Sequence, residues 1–265
     1  MSRMVGWVLG LAVVSALVSL ACADQFCATT EPDVWPEDVG WIRWTNDGGC
    51  QRWFEDGALV LDGLASIYIA DMYGQHFPSL PVVGEEVLTV SWGLRVDQIN
   101  GFGDPAVIIS IDGHGEVDLL YCANGRILSA GECEWIADYL PGAFHEYTFA
   151  TADLDYYMLS IDALPVHNGP IGPPMPDSFV SWGDSVQGAA SRSTWEYVRV
   201  SVARPGDVNG DGAVDFADIN PFVELLVESM DGQSSGYCAS AAADINQDGA
   251  VNFGDINPFI EILTR

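Results

Sequence analysis

Two kinds of hydrophobic patterning divide this chain. From residue 24 to about 204, apolar residues come in short alternating or β-branched runs parted by Gly, Pro, Asn and Asp: 58–62, 66–70, 87–92, 106–111, 147–149, 157–161, 179–182 and 195–202. Period-two runs closed by turn residues predict strands whose alternate side chains face a core. No long stretch here has a helical period. About 180 residues of strands at this spacing predict one antiparallel β-sandwich with a sizeable core.

Beyond the short linker Arg204-Pro205-Gly206 the pattern changes. Residues 218–226, Asp-Ile-Asn-Pro-Phe-Val-Glu-Leu-Leu, return at 255–263 as Asp-Ile-Asn-Pro-Phe-Ile-Glu-Ile-Leu, an offset of 37. Such an offset marks duplicated helix-bearing units. Asn220 and Asn257 are placed to cap two helices, with Pro221 and Pro258 at the first helical position, where a missing N–H costs nothing.

The two helices are preceded by twelve-residue loops with oxygen-bearing side chains at positions 1, 3, 5, 9 and 12. These are Asp207, Asn209, Asp211, Asp215 and Asp218, then Asp244, Asn246, Asp248, Asn252 and Asp255. Gly212 and Gly249 take position 6, and Ala213 and Ala250 offer backbone carbonyls at position 7. Ca²⁺ wants about six to eight oxygens, so alternate residues must turn inward while the chain reverses sharply at the glycine. The spacing therefore predicts two Ca²⁺ sites, with position 9 acting through water. Val214 and Val251 at position 8 predict a short strand contact between the loops.

This tandem resembles a type I dockerin, a calcium-dependent module that docks secreted proteins, many of them polysaccharide-degrading, onto cohesins. The resemblance covers 206–265, and Asp218 and Asp255 end the loops as dockerins do. It implies calcium binding and a cohesin-like or other extracellular scaffold partner. The chain departs at loop positions 10 and 11, where cellulosomal dockerins carry pairs such as Ser-Thr and this one has Phe216-Ala217 and Phe253-Gly254. The expected organisation is a signal peptide at 1–23, a β-sandwich at 24–204 and a dockerin-like domain at 205–265. The fold class is mainly β, an antiparallel jelly-roll sandwich followed by a small all-α calcium-binding module.

At the N-terminus, Arg3 precedes an apolar run to Leu20, and Ala21-Cys22-Ala23 offers the small-x-small pattern of signal-peptide cleavage. An extracellular or cell-surface protein is expected, and a lipid-anchored form through Cys22 is the alternative. The run is short for a spanning helix and has no successor, so no integral membrane segment is expected. The formal charge of −29, with all nine basic residues arginine, makes nucleic acid and anionic lipid poor partners. After processing, five cysteines remain in an oxidising compartment. Cys122 with Cys133 and Cys27 with Cys50 are candidate disulfide pairs, leaving Cys238 free or bridged to another chain.

Three segments, 145–149, 156–169 and 181–184 followed by 195–199, resemble the closing strands of a concanavalin A-like jelly roll of the laminin-G and pentraxin kind, with Ala163 in place of the turn glycine. Some jelly-roll glucanases carry Glu-x-Asp-x-x-Glu on one strand. Here Glu116-Val-Asp118 is followed by Tyr121 in the third place, which removes the acid that would protonate a leaving group. His76, His114, His145 and His167 have no metal-ligand spacing, and no catalytic residue is assigned. Trp35, Trp41, Trp44 and Trp53 lie in turn-rich sequence and are the candidate ligand-binding residues, by stacking on sugar rings.

Three functions compete. The first is a non-catalytic secreted binding or scaffolding protein whose sandwich recognises a glycan or surface and whose dockerin anchors it. The second is a dockerin-borne polysaccharide-degrading glycoside hydrolase. The third is a structural cell-surface protein in which the calcium module docks on its own sandwich.

Overall fold

The computed structural model describes residues 26–264 other than 47–48, 66–69, 78–80, 102, 130–133, 185–188, 231–236 and 249. The expected signal segment with Cys22, most of the strand expected at 66–70, Cys133 and Gly249 lie outside the described residues.

The strands, in chain order, are β1 (Phe26–Thr29), β2 (Ile42–Thr45), β3 (Gln51–Glu55), β4 (Ala58–Asp62), β5 (Asp71–His76), β6 (Val87–Asn100), β7 (Ala106–Ile111), β8 (Gly115–Tyr121), β9 (Arg126–Ser129), β10 (Trp135–Asp138), β11 (Phe144–Thr151), β12 (Tyr156–Ile161), β13 (Leu164–Pro170), β14 (Phe179–Asp184) and β15 (Ala190–Ala203). They form two sheets. One runs β13-β12-β11-β6-β15-β4-β3, with β1 also beside β15, and the other runs β10-β9-β8-β7-β14-β5-β2. The named strand pairs are antiparallel, and the long strands β6 and β15 form the spine of the first sheet.

Alternation builds the core as the sequence predicts. On β8, Val117, Leu119 and Tyr121 point inward; on β7, Val107, Ile109 and Ile111 do. The Trp92 indole N–H, from the first sheet, donates to Tyr121 Oη of the second at 2.9 Å, which satisfies a buried donor across the sandwich. Trp182 stacks on Tyr73 and tilts against Trp195, with ring centroids 4.7 and 4.8 Å away.

The cysteine expectations are corrected. Cys50 and Cys122 are buried thiols, so neither the Cys27–Cys50 nor the Cys122–Cys133 pair forms. Cys50 Sγ instead donates to Asp184 Oδ2 at 3.4 Å.

After the sandwich the chain forms α1 (Ile219–Met230), α2 (Tyr237–Ala243) and α3 (Ile256–Leu263). A second, separate core of Val208, Phe222, Leu225, Leu226, Ala243, Ile245, Val251 and Phe259 lies among them. Capping differs from expectation. Asp215 and Asn252 cap a 3₁₀ turn that runs into each helix, and Asp218 and Asp255 close a reciprocal capping box, so Asn220 and Asn257 fall inside the first helical turn. The reason is that a loop carboxylate satisfies the orphan N–H groups before the asparagines are reached. The strand contact expected at Val214 and Val251 is also absent among the described residues. Val214 instead packs at Gly206, where a Cβ would lie 2.8 Å from Val214 Cγ1.

Candidate functional site

The two acidic loops fold alike. In the first, the Asp207 carboxylate accepts from the N–H groups of Asp211 and Gly212 at 3.1 and 2.9 Å, Asn209 Oδ1 accepts from Asp211 N–H at 2.8 Å, and Asp211 Oδ1 accepts from Ala213 N–H at 2.9 Å. Asp218 spans the loop, accepting from Asn209 and Asp215 N–H, both at 2.9 Å.

The second loop repeats these contacts. Asp244 and Asn246 accept from Asp248 N–H at 3.1 and 3.0 Å, Asp248 accepts from Ala250 N–H at 3.0 Å, and Asp255 accepts from Asn246 and Asn252 N–H at 3.0 and 2.9 Å. Each of these contacts curls the backbone around a cluster of side-chain oxygens.

Asp218 and Asp255 are fully buried and Asp207 is 2% exposed. Burial raises the pKa of Asp207 and of Asp255, with backbone hydrogen bonds opposing it. Carboxylates held out of water in a ring of oxygen donors suit a hard cation, which would remove the desolvation penalty. Among the described residues, no three His, Cys, Asp or Glu groups stand as a ready metal cluster. The oxygens gathered in each loop are mixed, because the Asn209 and Asn246 amides stand among the carboxylates. Gly212, with φ +87°, makes the reversal in the first loop. Position 10 is exposed in both loops, with Phe216 at 77% and Phe253 at 64%.

The four tryptophans picked from sequence do not share a surface. Trp41 is a core residue, 2% exposed, packed edge-on to Trp182. Trp35 is partly buried against Phe54, with the Arg52 guanidinium 4.2 Å from its ring centroid. Trp44 and Trp53 are exposed but belong to β2 and β3, in different sheets.

Sequence reasoning missed Trp135, 56% exposed on β10. It lines a cleft of about 490 Å³ with Asn124, Arg126 and Leu128. Strand register connects it to Trp44. On the outer face of the second sheet, Trp135, Leu128, Leu120, Ala106, Gly183, Met72 and Trp44 form one continuous cross-strand row. Six strand spacings separate the two indoles, about 29 Å at the usual 4.8 Å between strands. The Trp44 ring lies across Gly74, where a Cβ would meet it at 2.1 Å. No local signal in the sequence marks this row, because its members come from seven strands.

Beside the row, Glu116 and Asp118 face outward from β8, and both pKa values are raised, chiefly by burial and for Glu116 also by the Asp118 charge. Tyr121 lies inward at 0% exposure. The third position of the glucanase pattern is therefore on the wrong face as well as of the wrong type.

Comparison with known proteins separates the two parts. Residues 205–263 match the dockerin type I domain. No curated protein matches the chain. Among solved structures, a carbohydrate esterase, vb_24B_21, from Shiga toxin-encoding bacteriophage phi24B, aligns at 10% identity with a TM-score of 0.50, covering 63% of this chain and 91% of that one. Cellulose induced protein, Cip1, aligns at 13% identity and TM-score 0.44 over 65% and 96%. Trypanosoma rangeli sialidase aligns at 13% and 0.44 over 66% of this chain and 30% of its own. At these identities the likeness is one of fold. Type I dockerin domains are generally calcium-binding, and proteins that contain them are typically extracellular. No helix among the described residues is long and apolar enough to cross a membrane. The chain carries a dockerin type I domain at its C-terminal end, behind an antiparallel β-sandwich.

Proposed function

We propose that this is a secreted, non-catalytic binding protein whose sandwich, 24–204, holds a glycan or similar surface and whose dockerin, 205–265, anchors it to a cohesin-type partner in a calcium-dependent way. Two Ca²⁺ ions are held, one by Asp207, Asn209, Asp211, the Ala213 carbonyl, Asp218 and a water on Asp215. The other is held by Asp244, Asn246, Asp248, the Ala250 carbonyl, Asp255 and a water on Asn252.

The observation that carries this reading is the repetition of one carboxylate-to-backbone pattern in two loops, with Asp207, Asp218 and Asp255 buried. Phe216 and Phe253, exposed at matching positions, call for apolar pockets on the partner. On the sandwich, Trp44 and Trp135, both exposed and at opposite ends of one cross-strand row, provide two separate stacking platforms, which suits an extended sugar chain.

Calorimetric titration of Ca²⁺ into the EDTA-stripped protein, with circular dichroism, tests the anchor. Two bound ions per chain with a gain of helix are expected, and no binding would sink the reading. Affinity electrophoresis in gels containing soluble polysaccharides tests the sandwich, where unchanged mobility in every gel would count against glycan binding.

The hydrolase reading is favoured by one observation, the outward-facing Glu116–Asp118 pair. A reducing-sugar assay on any polysaccharide that retards the protein separates the two, since the binding reading expects no release.

A further inference from the structure

The dockerin module does not hang free on its linker. Arg204 donates through Nη2 to Glu85 of the sandwich at 2.6 Å and through Nη1 to the Gly212 carbonyl of the first calcium loop at 2.9 Å. The Gly206 N–H donates to the Ala242 carbonyl at 2.8 Å, which ties the linker to the end of α2. Helix α2 packs on β15 and β1, and Ala242 and Ala243 are fully buried.

Strand β1 carries Cys27, and α2 carries Cys238. Cys27 is disulfide-bonded, whereas Cys50 and Cys122 are thiols. Its partner is therefore Cys22, Cys133 or Cys238. Cys133 lies between β9 and β10, and β10 packs beside β13, four strands from β15 in the first sheet. That is about 19 Å at the usual strand spacing. A disulfide needs Cα atoms within roughly 7 Å. Cys22 leaves with the expected signal segment. Of the three, Cys238 is the one on an element that touches β1.

We infer that Cys27 and Cys238 form a disulfide that staples α2 to β1 and holds the calcium module in one orientation on the sandwich. Two thiols give one S–S bond, and their two electrons and two protons pass by thiol–disulfide exchange to a disulfide-carrying oxidant of the export route. The orientation matters because the sandwich covers the α2 side, whereas Phe216, Phe253 and the Val223 and Val227 side of α1 stay exposed. The staple thus fixes which face of the dockerin a partner meets. It also pairs the cysteine that sequence reading leaves over.

The sequence makes the test clean, because cleavage after arginine puts every cysteine from Cys27 on in a different peptide. Arg204 precedes Pro205 and resists trypsin, so the last peptide runs from Val200 to Arg265. The oxidised, secreted protein is alkylated in denaturant, digested without reductant and analysed by mass spectrometry. The expected result is the peptide ending at Arg43 linked to Val200–Arg265, with the link lost on reduction. A link from Cys27 to the Ile127–Arg192 peptide, or no link between peptides, would overturn the inference. Cys238→Ser gives a second readout that needs no native fold: Cys27 should become alkylatable, gaining one label per chain. A Cys27 that stays unlabelled in that variant would equally refute the staple.

Discussion

Phe222 and Phe259 occupy the same place in the two repeats, 37 residues apart, and their rings meet at 4.5 Å with a tilt of 32°. The duplicated sequence thus buries itself against its own copy, and this contact belongs to the small core beside the two acidic loops. A unit of about sixty residues has little apolar area to spare. Phe222→Ala should cost about 3–5 kcal/mol and unfold the module even in millimolar Ca²⁺. The check is loss of helical signal by circular dichroism with the sandwich transition unmoved; a folded module would show that the ions alone hold it.

Left-handed backbone at non-glycine residues gives two further tests. The β12–β13 turn puts Asp162 at φ +52° and Ala163 at φ +61°, the geometry of a two-residue hairpin turn that favours glycine. Ala163→Gly should stabilise the sandwich by about 1 kcal/mol, a melting rise of roughly 2–4 °C. In the dockerin domain, Gly210 at φ +73° has Gln247 at φ +61° as its counterpart. Gln247→Gly should likewise stabilise the second loop, and Gly210→Gln should weaken the first, both read from calcium-free melting curves.

Asp184 should give the sandwich a pH-dependent stability. Burial raises its pKa, the Asp71 charge adds to this, and hydrogen bonds from Asp104, Cys50 and the Ser191 backbone oppose it. Among the described residues its Oδ1 has no hydrogen-bond partner. Between the ordinary aspartate pKa of about 3.9 and its raised value, the folded state binds more protons than the unfolded one. Stability should therefore fall as pH rises through that window. Asp184→Asn keeps the shape and should flatten the slope in urea melts across it; an unchanged slope would place the titration elsewhere.

The tryptophan row predicts a pattern among variants. If a polysaccharide retards the protein, Trp44→Ala and Trp135→Ala should each weaken retardation, by about 1–2 kcal/mol per lost stacking contact. Trp53→Ala, on the other sheet, should leave it unchanged. Equal losses for all three would move the binding surface off the second sheet.

How much of this was legible beforehand differs between the two parts. The acidic loops are local: their oxygen-bearing side chains lie within twelve residues, so the curl of each loop follows from short-range spacing, and the 37-residue repeat announces the pairing of the two units. The strands were legible too, because period-two alternation is set by the backbone. Helix starts were read two to five residues late, since Asn220-Pro221 is a strong local signal while the actual caps, Asp215 and Asn252, double as loop residues.

What the sequence by itself determined is therefore whatever depends on neighbours along the chain: strand periodicity, the curl of the two acidic loops and the duplicated helices. Only the tertiary structure decided which tryptophans face out, that Trp44 and Trp135 share one row, that Cys50 and Cys122 stay reduced, and that α2 lies against β1. Each depends on register between strands or helices far apart in sequence. A shift of one residue there would turn every side chain to the other face, and no local pattern records that choice.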